Sequence, residues 1–417
     1  MALKTFPNGL RLGIQETENE RLACVTIHIV GGSQSETNYQ SGVGEFLSRM
    51  LTMGTKNYPS KEKLHKRFMR DGIIFESDCK AENLLLTCVC QNDKIDSAIS
   101  LLSEVVFESN FSEEDANIVR NEQLGDILAL HDSPSYLLTK LTNNTMFSRT
   151  GLANPRFGTV TTIERMTALD AKEYLNKLLT PKNTVISVAG NVESDEVYDA
   201  VMKKFYTLFI QESDYKKLKY VAHVDNIEQN IITRNKKLNQ SRMLLSFPCL
   251  DCRHIKRHAL TIALPIILNG LQKELSDLKF FHNEKIEEKR FAANGRLSFE
   301  LVVDGEHTQE YLTKVVSYLK NKVSNFTEET FELEKNIYIT KLLEKYDNVR
   351  NLAVKEASEI ALNKQTFSLG SELLNVSMMS DEDAKEILAQ TLNMKSATIC
   401  YLGLPIDDTI ISKIINE

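Results

Sequence analysis

The sequence predicts an α+β chain built as two tandem homologous domains. Three observations carry this expectation. The 417 residues exceed what one ordinary core organises. Strand-like runs rich in β-branched residues and amphipathic helical runs occur in both halves. Finally, residues 166–190 align without a gap on residues 379–403, with ten identities in 25 positions. Each copy reads as a helix with an acidic start, a turn, and an apolar strand ending in Gly190 or Gly403. The offset is 213 residues, about half the chain. A solenoid would repeat every 20 to 50 residues or so; a half-length period means a duplicated domain.

The first half justifies its elements in order. Residues 9–14 and 23–30 read as strands, the second rich in β-branched residues. Residues 42–54 read as a helix: Phe46, Leu47, Met50 and Leu51 fall at helical spacing, and Gly54 sits where a C-terminal cap belongs. Residues 59–72 form an amphipathic helix through Leu64 and Phe68, stopped by Gly72. Strands follow at 73–78 and 83–91. Residues 93–108 place Ile95, Ala98, Ile99, Leu102 and Val105 on one helical face. Ser112 caps a long helix to about 131, and Glu113, Glu114 and Asp115 suit its positive end. The boundaries predicted are a first domain at 1–210, a polar linker with an edge strand at 211–235, and a second domain at 236–417. In the second domain, the run from Arg242 to Phe247 matches an early strand of the first.

Composition excludes some functions. At 42% hydrophobic and 26% charged residues, the chain is of ordinary globular type. A net charge of -7 argues against a general nucleic-acid binder. No apolar run approaches the roughly 20 residues that span a membrane. The N-terminus enters a strand-and-turn pattern at once, without a signal or transit pattern. The expected location is cytoplasmic, with a mitochondrial-type matrix as the alternative. Seven cysteines, an odd number in mostly apolar surroundings, read as reduced thiols.

The stretch from Gly42 to Thr55 organises the chemistry. Glu45, Ser48 and Arg49 fall at i, i+3 and i+4, on one helical face. This is the spacing at which His-x-x-Glu-His places two zinc ligands and a general base. The frame resembles the pitrilysin and mitochondrial processing peptidase family, whose helix reads roughly Gly-x-x-His-x-x-Glu-His-Met, then Gly-Thr. Further marks of the resemblance are Asn8-Gly9, Gly32-Ser33, Asp132 to Pro134, Thr161 to Met166, and Ala189 to Val192. The frame is retained and the chemistry is replaced. Glu45 and Arg49 stand at the histidine positions, and Ser48 stands at the base. Arginine has no lone pair to offer zinc. Serine is no general base unless another group activates it.

The resemblance implies more. Each domain would be a mostly antiparallel sheet covered by helices, and chains often pair to enclose a chamber. The third ligand of active members is a glutamate six residues after an arginine; Asp126 stands there, six after Arg120. Glu45 and Asp126 would suit a hard cation better than zinc, but Arg49 beside them repels it. A Glu45–Arg49 pair on the helix is the simpler reading. Helper subunits of the family offer a glycine-rich loop or an Arg and Tyr pair. Here only Gly270 stands in that region, and Arg290 with Phe291 is the nearest remnant of the pair.

Other signals take plain readings. Cys249 and Cys252 form a lone Cys-x-x-Cys outside a thioredoxin-like pattern. His254 and His258 lie at i, i+4, but Arg253, Lys256 and Arg257 crowd them with positive charge, so a basic solvated helix start is expected. No phosphate loop occurs, and no Gly-x-Ser-x-Gly elbow surrounds Ser48.

The expected function is a non-catalytic subunit of a zinc-dependent peptidase. It would carry no catalytic residue, metal or cofactor itself. A homologous chain, paired as a heterodimer or replaced by a second copy of this one, would bear the zinc, and the pair would hold a peptide substrate. The alternative is a structural core-type subunit of a larger complex with no peptide handling. An active metallopeptidase with a rearranged site is the third reading.

Overall fold

The computed structural model describes residues 2–148, 150–209, 229–235 and 239–416. In chain order the strands are β1 (Ala2–Thr5), β2 (Arg11–Glu16), β3 (Leu22–Val30), β4 (Ile74–Cys79), β5 (Asn83–Gln91), β6 (Thr184–Gly190), β7 (Asn230–Asn235), β8 (Gln240–Cys249), β9 (His282–Arg290), β10 (Gly295–Asp304) and β11 (Thr398–Gly403). The helices are α1 (Val43–Met50), α2 (Lys61–Arg70), α3 (Ile95–Glu108), α4 (Glu113–His131), α5 (Pro134–Met146), α6 (Val160–Ile163), α7 (Ala168–Leu178), α8 (Ser194–Lys204), α9 (Arg257–Leu275), α10 (Thr308–Asn321), α11 (Glu328–Tyr346), α12 (Val349–Asn363), α13 (Leu369–Ser377), α14 (Asp381–Thr391) and α15 (Asp408–Asn416).

The strands form two sheets of matching order. The first runs β1-β2-β6-β3-β5-β4 and the second β7-β11-β8-β10-β9. Each has one parallel pair, β2 with β6 and β7 with β11, and is otherwise antiparallel. The duplication read from sequence reappears in detail. Thr167 with Asp170 and Ser380 with Asp383 form capping boxes at the starts of α7 and α14, 213 residues apart. A short 3-10 turn and the central strand follow in both copies.

Residues 211–228 of the expected linker, with residue 210 before them and residues 236–238 at the expected start of the second domain, lie outside the described residues. The edge strand expected at the linker's end is β7, parallel to β11. One boundary differs locally. The motif helix ends at Met50, and Leu51 to Met53 continue as tight turns to Gly54.

Two compact units emerge, and they are not the two halves of the sequence. One gathers the described residues of Met1–Leu128, Asn154–Lys219 and Leu343–Ser368; the other gathers those of Ala129–Ala153, Tyr220–Leu342 and Leu369–Glu417. Each sheet is therefore covered on one face by a helix from the other half of the chain.

In the first unit, alternation along β3 divides the faces. Val25, Ile27 and Ile29 enter the main core with Leu12, Ile14, Ile186 and Val188, together with residues of α1, α3 and α7. Cys24 and Ala189 point the other way, onto Val349 and Ala353 of α12. That second interface also carries polar groups. Glu356 is fully buried and accepts from Gln15 Nε2 at 2.7 Å and from the Phe367 N–H at 2.6 Å. Arg11 Nη1 donates to the Ile360 carbonyl at 2.9 Å. A Cβ on Gly13 would collide with Ile360 and Glu356, so the bare glycine lets α12 lie close to β2.

In the second unit, α5 covers β11 and β8 through Leu138, with Leu244, Cys400 and Leu402 beneath it. Gly270 lies inside α9 rather than in a loop, and a Cβ there would strike the Tyr318 hydroxyl. No described helix is long and apolar enough to cross a membrane.

Candidate functional site

The motif helix α1 begins at Gly42, whose φ of +92° is left-handed. Gly158, at φ +76°, packs so closely that a Cβ on Gly42 would meet its backbone at 2.7–2.8 Å. The two glycines bring the segment carrying Arg156 and Phe157 against the start of α1. Below, the buried Glu36 carboxylate accepts from the N–H groups of Gly42 at 2.8 Å and Gly44 at 2.9 Å. These are orphan donors at a helix N-terminus, where negative charge is favoured. Burial nevertheless pushes the Glu36 carboxyl up to about 8, against those two bonds and with nearby Glu45 adding to the rise.

Glu45, Ser48 and Arg49 share the face that their spacing predicts. Arg49 Nε donates to Glu45 Oε1 at 3.0 Å, along its own helix. Its Nη2 reaches across to Asp126 Oδ2 on α4 at 2.7 Å. One guanidinium thus joins the two carboxylates. Arg156 Nε binds the other oxygen of Glu45 at 2.9 Å, and Arg156 also pairs with Asp78 on β4. Both guanidinium carbons lie over the Phe157 ring, at 5.7 Å for Arg49 and 5.5 Å for Arg156. Burial works against the charge of Arg49, but Asp126 and Glu45 outweigh it and hold the group above its ordinary value. The site is a chain of alternating charge: Asp126, Arg49, Glu45, Arg156, Asp78.

This geometry does not fit a zinc ion. Glu45 has both oxygens engaged by guanidinium groups, and Arg49 lies between it and Asp126. Among the described residues, no three His, Cys, Asp or Glu side chains form a cluster that could hold a metal. Ser48 Oγ donates to the Glu45 carbonyl at 2.9 Å and is buried, which is a helical back-bond rather than an activated nucleophile. Glu122 lies apart from this chain of charges and sits near Lys61 at 3.8 Å. Arg120, which sets the register for Asp126, donates to the Met166 carbonyl.

Sequence reasoning missed Glu36, Asp78, Arg156 and Phe157. The signal that could have found Arg156 is its setting, Pro155-Arg156-Phe157-Gly158, a turn with a cation and an aromatic exposed to recruitment. The remaining motifs dissolve into structure. His258 is buried, not solvated as expected: its Nδ1 is 3.0 Å from the Tyr338 hydroxyl and its Nε2 3.4 Å from Glu372. Glu372 also pairs with Arg257 at 2.6 Å, which draws that residue inward too. Arg290 is committed to Glu288, Thr261 and the Arg257 carbonyl. Cys249 and Cys252 form no disulfide, and burial pushes the Cys249 thiol up to about 12.

A duplicated sheet-and-helix chain, with a motif helix packed beside an edge strand, defines a protein of the two-domain metallopeptidase-like class. The chain belongs to peptidase family M16: residues 12–160 match the family described as insulinase (peptidase family M16), and residues 165–338 match the peptidase M16 inactive domain. Among curated relatives, an uncharacterized zinc protease of Rickettsia bellii is 24% identical over 90% of this chain and 88% of its own length. The zinc protease YmxG of Bacillus subtilis, also uncharacterized, is 24% identical over 64% of this chain, a match spanning 63% of that relative. The human mitochondrial-processing peptidase subunit alpha is 25% identical over 50% of this chain and 39% of its own. Among solved structures, a protease from Helicobacter pylori superposes with a TM-score of 0.85 at 17% identity, covering 96% of this chain and 98% of that one. A chain of complex III2 from Candida albicans superposes at 0.78 and 16% identity, covering 100% and 99%.

Proposed function

We propose that this chain is a non-catalytic member of the M16 family that pairs with a homologous, metal-bearing chain and supplies part of the peptide-binding wall. The observation that carries the reading is the Arg49 guanidinium joining Glu45 and Asp126. A fixed organic cation can neutralise two carboxylates, but it cannot bind and ionise water as a metal does. Packing surfaces survive such a replacement, because they depend on shape rather than on ligands. Zinc belongs to the partner, and this chain holds none. The seven cysteines, none in a disulfide, favour a reducing compartment, cytoplasmic or matrix-type. The extended substrate can add to β4, the last strand of its sheet among the described residues.

The test is reconstitution. The metal-bearing partner is assayed for peptide cleavage alone and with this chain. A change in kcat or KM upon addition supports the reading; identical kinetics with no complex formed overturns it.

A second reading, a core-type subunit of a larger complex without peptide handling, draws support from the likeness to the complex III2 chain over the full length. Stoichiometric co-purification with membrane subunits, and without a peptidase, would favour it.

A further inference from the structure

Helix α2 has no counterpart in the second unit. There α9 ends at Leu275 and β9 begins at His282, whereas α1 ends at Met50 and β4 begins at Ile74, with α2 between them. The repeated fold therefore closes without α2, which buries only Leu64 and Phe68. The rest of the helix faces solvent and is basic. Lys63, Lys66, Arg67 and Arg70 fall at i, i+3, i+4 and i+7, one stripe about 10 Å long. Two carboxylates serve these four cations. Lys66 binds Glu62 at 2.6 Å, and Arg67 binds Asp71 at 2.6 Å. Lys63 and Arg70 are exposed; they share those carboxylates only at longer range and form no ion pair of their own with a described residue. Exposed Lys56, ahead of the helix, forms none either, and Lys61 stands 3.8 Å from Glu122. Like charges so spaced weaken a helix, and an opposite charge laid along them would relieve that repulsion. At the end of the stripe, Met69 and Ile74 are each 63% exposed on either side of the Gly72 turn, where Phe68 stacks on Phe75 at 4.7 Å.

We propose that α2 is a docking surface for an acidic segment of a partner protein, with Met69 and Ile74 receiving an apolar residue of that segment. Charge complementarity sets the sign of the partner, and the exposed apolar pair gives it an anchor. The chain as a whole carries a net charge of -7. A nucleic acid or an anionic bilayer extends past the stripe and would meet the rest of an acidic protein. A short acidic segment ends where the stripe ends, and screening over about 8 Å hides the remaining charge from it. Nor is α2 built to lie in lipid, because its apolar face is already against the core. The inference goes beyond the peptide-wall reading and uses neither the Arg49 site nor a metal-bearing chain.

The experiment uses the full chain. Fluorescence anisotropy measures binding of three labelled ten-residue peptides, each with one central Leu and with Glu, Gln or Lys at alternate positions. The Glu peptide is expected to bind about tenfold tighter than the Gln peptide at low salt, with the gap narrowing as salt rises. Lys63→Glu combined with Arg70→Glu should erase that gap at an unchanged melting temperature. Lys285→Glu combined with Lys341→Glu, an equal charge change at exposed positions of the second unit, should leave it intact. Met69→Ser should weaken the Glu peptide by about threefold. Vesicles of equal parts phosphatidylserine and phosphatidylcholine, and a ten-nucleotide thymidine strand, are the competing anions. The proposal is overturned by equal binding of the Glu and Gln peptides, by no binding of either, by a gap that survives Lys63→Glu with Arg70→Glu, by full affinity in Met69→Ser, or by tighter binding of the vesicles or the strand. Failure of the pairing reading is read separately, in the cleavage assay.

Discussion

Arg49 on α1 donates to Asp126 on α4 at 2.7 Å, across 77 residues of sequence, and so ties the two helices together. The same guanidinium holds Glu45 within its own helix. The bridge does part of what a metal does for architecture and none of what it does for water.

The members of this bridge differ in burial, which sets their worth. Glu45 is 7% exposed and satisfies two guanidinium groups, whereas Asp126 is 48% exposed. Glu45→Ala should cost about 2–3 kcal/mol, because it leaves two partly buried cations without their shared partner. Asp126→Ala should cost less than about 1 kcal/mol, since solvent screens that pair. Chemical denaturation of both variants checks the order; equal costs would contradict the bridge as described.

Zinc affinity should be absent by residue type alone. Arg49→His by itself should leave the protein without stoichiometric zinc, because Glu45 stays engaged by Arg156. The combined Glu45→His, Ser48→Glu, Arg49→His and Asp126→Glu variant should take up about one equivalent, since it restores a two-His, one-Glu site with a base. Metal analysis after dialysis distinguishes the two.

Two buried groups give stability a pH profile with opposite slopes. Glu36 titrates near 8 in the fold, above its ordinary 4.5, so the folded state holds the proton more tightly. Its contribution is full below 4.5 and is lost as pH rises to 8. His28 is buried with neither ring nitrogen partnered among the described residues, and burial, then Arg11 and Lys80, pull it down to about 3. Its contribution is full above 6.5 and is lost as pH falls to 3. Each slope is limited to one proton, about 1.4 kcal/mol per pH unit. Stability should therefore be greatest between about 4.5 and 6.5 from these groups. Glu36→Gln should abolish the fall above 6.5 and let the His28 rise continue through the 4.5–6.5 window, as followed by urea midpoints across pH.

Glycines supply a paired test of close packing. Gly13→Ala should cost about 1–3 kcal/mol, because the new methyl group meets Ile360 and Glu356 beneath α12. Gly125→Ala, inside α4 with open space around it, should stabilise by about 0.5–1 kcal/mol. Thermal unfolding reads both signs.

Much of this was legible in the sequence, and the physical reason is locality. The helix starts and the face shared by Glu45, Ser48 and Arg49 follow from patterns within a dozen residues, and the repeat follows from an ungapped match of 25 positions. Asp126 was singled out by the family resemblance, six residues after Arg120. Arg156 and Asp78 were not, because only tertiary folding brings the 154–158 segment and the end of β4 to α1. Nor was the placement of α5 and α12. Helical spacing shows that Ala353 and Leu138 face a core, but it does not say which sheet forms the floor of that core. His258 failed for a related reason: its basic neighbours in sequence suggested solvent, while Tyr338 and Glu372 come from helices 80 or more residues away.

The reciprocal placement of α5 and α12 bears on how such a chain could have arisen. Suppose an ancestral half-length polypeptide had one sheet and one covering helix. If that helix already lay on a neighbour's sheet, two copies had to associate before either was complete. Fusion of the duplicated genes would then have turned an obligate homodimer into a monomer with no rearrangement of the interior. By the same logic, the modern halves made as separate polypeptides should each be incomplete alone and should rescue one another when co-expressed.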